Sequence, residues 1–122
     1  MRLRQIAVIG LVLLVLAPIV HSEEGVLIHN GFLTGKDYLE MSSSQQKAYA
    51  AGVTNGMLLA PLFGAPKERL TWFESCVTGM TDIQVGAILK KYLENNPGRW
   101  HESSHITMYS AMLNACSKQS GQ

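Results

Sequence analysis

The chain has 122 residues, 47% hydrophobic and 16% charged, with ten Lys and Arg against nine Asp and Glu and a formal net charge of +1 at pH 7. That balance excludes the basic footprint of a nucleic-acid or anionic-membrane binder, and two cysteines exclude a dense thiolate metal array. The length suits one small domain, which hides only about 60–65% of its unfolded surface and gains from a covalent staple.

Arg2 and Arg4 precede an uncharged apolar run from Ile6 to Val20. A positive start followed by a short apolar stretch is an export signal, and the run is short for a membrane span of about 20 residues. Pro18 and the Val20-His21-Ser22 pattern place cleavage after Ser22. Residues 1–22 are therefore expected to be a signal peptide and residues 23–122 a single domain of the periplasm, with no membrane attachment after cleavage. Without Arg2 and Arg4, eight basic side chains face nine acidic ones. Such a near-neutral surface suits a protein partner.

Residues 23–33 read as an irregular lead-in with Asn30-Gly31 as a turn signal. Thr34-Gly-Lys-Asp37 is a capping box for a short helix carrying Tyr38, Leu39 and Met41. Ser42-Ser43-Ser44-Gln45-Gln46 holds two overlapping Ser-x-x-Gln boxes, and a helix from about Ser44 to Leu59 follows. The three/four spacing gives it an inward face of Tyr49, Val53, Met57 and Ala60. Gly52 and Gly56 stand one turn apart in it, and the expected reason is close approach of a neighbouring backbone. Pro61 and Gly64-Ala65-Pro66 end the helix in the longest loop. Lys67 to Ser75 is expected to hold a turn of helix with Leu70 and Phe73 inward.

Thr81 and Gln84 form the clearest capping box in the chain, with Asp82 in the first turn and Met80 and Val85 as a hydrophobic staple. Val85, Ile88, Leu89 and Tyr92 line one face of the helix that follows. Asn95-Asn96-Pro97-Gly98 stops it. A last helix runs from about Glu102 to Cys116, with Ile106, Tyr109, Met112, Leu113 and Cys116 at core spacing. Ser117 to Gln122, the bulk of the 116–122 tail, is polar and expected to be disordered. The expected fold is all-α, a compact bundle of four or five short helices. Cys76 and Cys116, the only cysteines, are expected to be its one disulfide, because the compartment is oxidising. Closing a 40-residue span is worth about 4 kcal/mol in the chain-entropy model.

No His-Glu-x-x-His, Gly-x-Ser-x-Gly, Gly-rich phosphate loop or carboxylate pair occurs, so neither an enzyme nor a cofactor is expected. His101 and His105 share a helix face at i, i+4, but only Glu102 and His29 could join them, and a zinc site wants three or four ligands. They read as solvated histidines at a helix start, and no metal is expected. Two stretches look suited to partner recognition. In Pro61-Leu-Phe-Gly-Ala-Pro66, followed by Lys67-Glu68-Arg69, Leu62 and Phe63 are the candidate anchors. In Arg99-Trp100-His101-Glu102 they are Arg99 and Trp100.

Several blocks together resemble the Rap/Tai family of type VI secretion immunity proteins. They are Gly35-Lys-Asp-Tyr-Leu39, Tyr49-Ala-Ala-Gly52-Val-x-x-Gly56, Cys76-Val-x-Gly-Met-Thr81-Asp-x-Gln84, Ile88-Leu-x-x-Tyr92-Leu-x-x-x-Pro97 and Ala111-Met-Leu-x-x-Cys116. The resemblance spans residues 34–116. It implies a small helical periplasmic protein that binds and inhibits a cell-wall amidase toxin. The implied partner is a peptidoglycan amidase effector, and a homodimer is the other association compatible with it. Many members carry a further cysteine pair bracketing the segment that here runs from Tyr38 to Tyr49; this chain has Met41 and Ala48 or Tyr49 near those places. The alternative is a periplasmic stress protein similar to the HdeA-like acid-stress chaperones, which are also small, exported, helical and stapled by one disulfide.

Overall fold

The structure is a computed structural model that describes residue 25 and residues 27–117. The expected signal over residues 1–22, and residues 118–122 of the expected tail, lie outside the described residues. Among the described residues the chain is all-α. Its helices are α1 (Gly35–Glu40), α2 (Ser43–Leu58), α3 (Glu68–Val77), α4 (Asp82–Asn95) and α5 (Ser104–Ser117), with 3-10 turns at Ala60–Phe63 and Pro97–Arg99.

The start signals work as local chemistry predicts. Thr34 accepts from the Asp37 N–H at 3.2 Å while the Asp37 carboxylate accepts from the Thr34 N–H at 2.8 Å. The reciprocal pairs Ser42–Gln45 and Thr81–Gln84 cap α2 and α4. Each pair satisfies two backbone donors that a helix end leaves orphaned. Of the two overlapping boxes before α2, Ser42–Gln45 forms the cap. Gln46 instead sends its amide to the Tyr38 carbonyl at 2.9 Å, fixing α1 against α2.

α4 is the central helix: it packs on α2 and α5, and α1 lies against it from Gly86 to Leu93. It buries Val85, Gly86, Leu89 and Leu93; Ile88 and Tyr92, on the expected face with Val85 and Leu89, are half-buried and pack against the core. Tyr38 of α1 is fully buried and donates its hydroxyl to the Gly86 carbonyl at 3.0 Å. On α2 the buried residues are Ala50 and Thr54, one position on from the expected Tyr49, Val53 and Met57, which are half-buried. Thr54 is tolerated there because its hydroxyl donates to the Ala50 carbonyl at 2.8 Å. Gly52 and Gly56 do not mediate a close approach: both are exposed, and a Cβ on either would meet nothing within 4 Å.

α5 departs most from expectation. Met112 and Cys116 are buried, but Ile106, Tyr109 and Leu113 are exposed. Its core face is Ser104, Thr107, Met108, Ala111, Met112 and Cys116. Two hydroxyls are spent locally, Ser104 on the Thr34 carbonyl at 2.6 Å and Thr107 on the Ser104 carbonyl at 3.0 Å. Small residues on this face let the 27–34 segment and α1 come close, and Thr34 and Ser103 form an isolated antiparallel bridge. α5 also continues through Ser117, into the stretch read as a tail.

α3 is ten residues long, longer than the single turn expected, and buries Phe73 with Leu70 half-buried. Its main partner is α5. Cys76 and Cys116 are joined, with Cα atoms 5.7 Å apart, so the disulfide ties the end of α3 to the end of α5.

Candidate functional site

Beyond α2 the backbone tightens into the turn Ala60–Phe63, with Pro61 at its start and Gly64 at φ 91°, where a side chain would be strained. Gly64 donates to the Pro61 carbonyl at 3.1 Å and Ala65 to the Ala60 carbonyl at 3.2 Å. The turn is therefore closed on itself, and its two apical side chains have nowhere to fold back. Leu62 is 80% exposed and Phe63 85%. Single exposed apolar residues are ordinary, but two adjacent ones on a fixed turn are a costly surface feature.

The two stems of that turn, Ala60 and Ala65, stand in the wall of a cleft of about 220 Å³. Met57, Leu70, Trp72, Phe73 and Tyr109 form the rest of its apolar lining, and Arg69 lines it too. The aromatic walls brace one another: Trp72 lies edge-on to Phe73 at 5.6 Å and to Tyr109 at 6.3 Å between ring centroids. The helical spacing of the last helix puts Tyr109 in the core. The structure places it on this cleft, 49% exposed. The signal that could have found Tyr109 is the overall apolarity of α5: a helix apolar on more than one face has apolar residues to spare for the surface.

The second candidate corner is built differently. Arg99 forms a two-pronged pair with Glu102, Nε to Oε1 at 2.7 Å and Nη2 to Oε2 at 2.5 Å. It also donates to the Tyr92 hydroxyl and lies over the Tyr92 ring, 5.5 Å from its centroid. The guanidinium holds the Glu102 carboxyl below its ordinary value of 4.5. Trp100 donates its indole N–H to the Leu93 carbonyl at 2.7 Å, and its backbone carbonyl accepts from Lys36 at 2.9 Å. Arg99 and Trp100 thus hold α1 and the α4–α5 corner together, with an edge of Trp100 reaching solvent. They do not meet Leu62 and Phe63 in one lining.

A larger concavity of about 770 Å³ lies between the 27–34 segment and the start of α5, lined by His29, Asp37, His101 and Glu102 among others. Its carboxylates are already engaged, Asp37 with Thr34 and Glu102 with Arg99. His105 lies against Gly31. Among the described residues no three His, Cys, Asp or Glu side chains are placed to share a metal ion. Nor is any helix there long and apolar enough to cross a membrane. Comparison with protein-family models, with curated proteins and with solved structures finds no match.

Proposed function

We propose that this is a periplasmic immunity-type protein that binds a cell-wall-degrading amidase toxin stoichiometrically and occludes its active-site cleft. The observation that carries the reading is the adjacent pair Leu62 and Phe63, held out on a closed turn beside an apolar cleft. Interfaces concentrate their energy in a few apolar and aromatic anchors within a polar rim. The sequence resemblance over residues 34–116 supplies the kind of partner. The exposed edge of Trp100 is a second contact point for it.

Deletion of the gene in a strain with an active type VI system, in competition with its parent, tests the reading. The expected result is loss of fitness, restored by the wild-type gene, with the toxin recovered on tagged protein. Leu62→Ala and Phe63→Ala should each cost more than about 1 kcal/mol of affinity with the thermal midpoint nearly unchanged, because neither side chain is packed. Unimpaired fitness together with no recovered toxin transfers the assignment to the acid-stress chaperone. That alternative is favoured by Asp37 and Glu102, acid-sensitive carboxylates that line one end of the bundle.

A further inference from the structure

We infer that the cleft formed by the end of α2, the 60–66 turn and α3, closed by Tyr109 of α5, is a socket for one large apolar side chain of the partner, flanked in the partner's chain by a carboxylate that pairs with Arg69. This rests on the reading above that the protein works by binding another protein, and it adds what that partner must present. At about 220 Å³ the cleft is below the roughly 300–1,000 Å³ of sites for drug-sized ligands, and it suits a single inserted side chain. Phe73 is buried, Trp72 is held edge-on by both Phe73 and Tyr109, and Pro66 opens the α3 segment, so the walls stand before the partner arrives. Preformed walls spare the ordering cost that weakens most contacts.

Arg69 is exposed and lines an otherwise apolar cleft. The ion pairs among the described residues are Lys36–Glu40, Lys90–Glu94 and Arg99–Glu102, so the Arg69 side chain has none. Lys67 stands two residues before it, and Glu68 is the one acid between them. A planar guanidinium beside an apolar hole selects a carboxylate next to an apolar group and disfavours a cation there. Ala60 and Ala65 belong both to the cleft wall and to the base of the turn that bears Leu62 and Phe63. Knob and hole therefore form one surface.

The test uses isotope-labelled protein and three blocked peptides as probes: acetyl-Asp-Phe-Asp-amide, acetyl-Lys-Phe-Lys-amide and acetyl-Asp-Ala-Asp-amide. Shifts of the Trp72 indole and of amides in α3 and around Tyr109 are followed by NMR at millimolar peptide. The aspartate–phenylalanine peptide should move these signals and bind about threefold tighter than its lysine counterpart, as one or two partly exposed ion pairs allow. The alanine peptide should not move them. Arg69→Glu, an exposed change that spares the fold, should reverse the preference between the two phenylalanine peptides. Equal binding of the charged peptides, shifts confined to another face, or no shift with any peptide overturns the proposal. So does tighter binding of decanoate, which would mark a site for small amphiphiles, and so do concentration-dependent shifts at this face without peptide, which would mark contact between copies of the chain. No toxin is used, so failure here leaves the competition assay to judge the immunity reading, and failure there leaves the peptide preference to be read separately.

Discussion

A methyl group placed on Gly35 would sit 2.6 Å from Leu93 Cδ2 and 3.3 Å from the Trp100 Cα. Leu93 is fully buried and Trp100 is tied to the same strip of backbone by Gly35 and Lys36, whose N–H groups donate to the Glu102 and Trp100 carbonyls at 2.9 Å. Neither neighbour can give way, so Gly35→Ala should destabilise the protein by about 1–3 kcal/mol, the usual cost of overpacking. Gly52 and Gly56 are the opposite case: helical, exposed and facing open space. Gly52→Ala and Gly56→Ala should each stabilise by about 0.4–1 kcal/mol, because alanine narrows the unfolded ensemble and keeps the helix. Urea unfolding of the three variants decides the matter. The wrong sign at Gly52 or Gly56 would mean that something covers that face in solution. Both kinds of glycine read alike in a sequence. What separates them is Leu93, 58 residues away from Gly35 in the chain, and no local pattern reports that distance.

At the scale of elements, what is local was legible. Thr34–Asp37, Ser42–Gln45 and Thr81–Gln84 are three-residue spacings, and each box forms as its spacing predicts. The faces were less legible. α5 carries Ile106, Met108, Tyr109, Ala111, Met112 and Leu113 around much of its circumference, so spacing alone cannot tell which side meets α4. The answer depends on Ser104 and Thr107, polar residues that enter the core because carbonyls are waiting for their hydroxyls. The exposure of Leu62 and Phe63 was legible because Pro61 and Pro66 bracket them, whereas the Arg69 cleft needs the end of α2, α3 and Tyr109 of α5 brought together. Asp37 and Glu102 serve the elements at this end of the bundle. The Thr34 N–H and then its hydroxyl hold Asp37 below 3.8, and Arg99 holds Glu102 below 4.5. Both folded values are depressed, so their contribution is complete above the unfolded values and lost as pH falls through the folded ones. Burial, with Tyr49 nearby, pushes the Tyr38 hydroxyl up to about 12 from 10.0, so its contribution is complete below pH 10.0 and lost as pH rises toward about 12. The stability these three groups supply should therefore be constant from about pH 5 to 10 and fall on both sides. In urea titrations, Glu102→Gln should shallow the acid limb and Tyr38→Phe the alkaline one. Unchanged limbs would assign the pH dependence to other groups.

For the molecule as a whole, the decisive asymmetry is that α3 is held differently from the rest. α4 is packed on both α2 and α5, while α3 leans mainly on α5 and buries a single side chain, Phe73, completely. The Cys76–Cys116 bond is made at that weak seam and closes a 40-residue separation. Its constraint on the unfolded chain is worth about 2–4 kcal/mol. It also holds α3 against α5, and with it Leu70, Trp72 and Phe73, which the cleft requires. Local opening follows the least-packed unit first. Cys76→Ser combined with Cys116→Ser should therefore lower global stability by about 2–4 kcal/mol and, well before global unfolding, expose α3. Hydrogen exchange should show amides of Glu68–Val77 losing protection while those of Asp82–Asn95 keep theirs. Binding through the cleft should weaken in the same variant, and Leu62 and Phe63, carried on the turn that precedes α3, should lose their fixed platform with it. Uniform loss of protection across α3, α4 and α5 would refute this, because the bond would then stabilise one cooperative unit and have no special bearing on the face that bears the cleft.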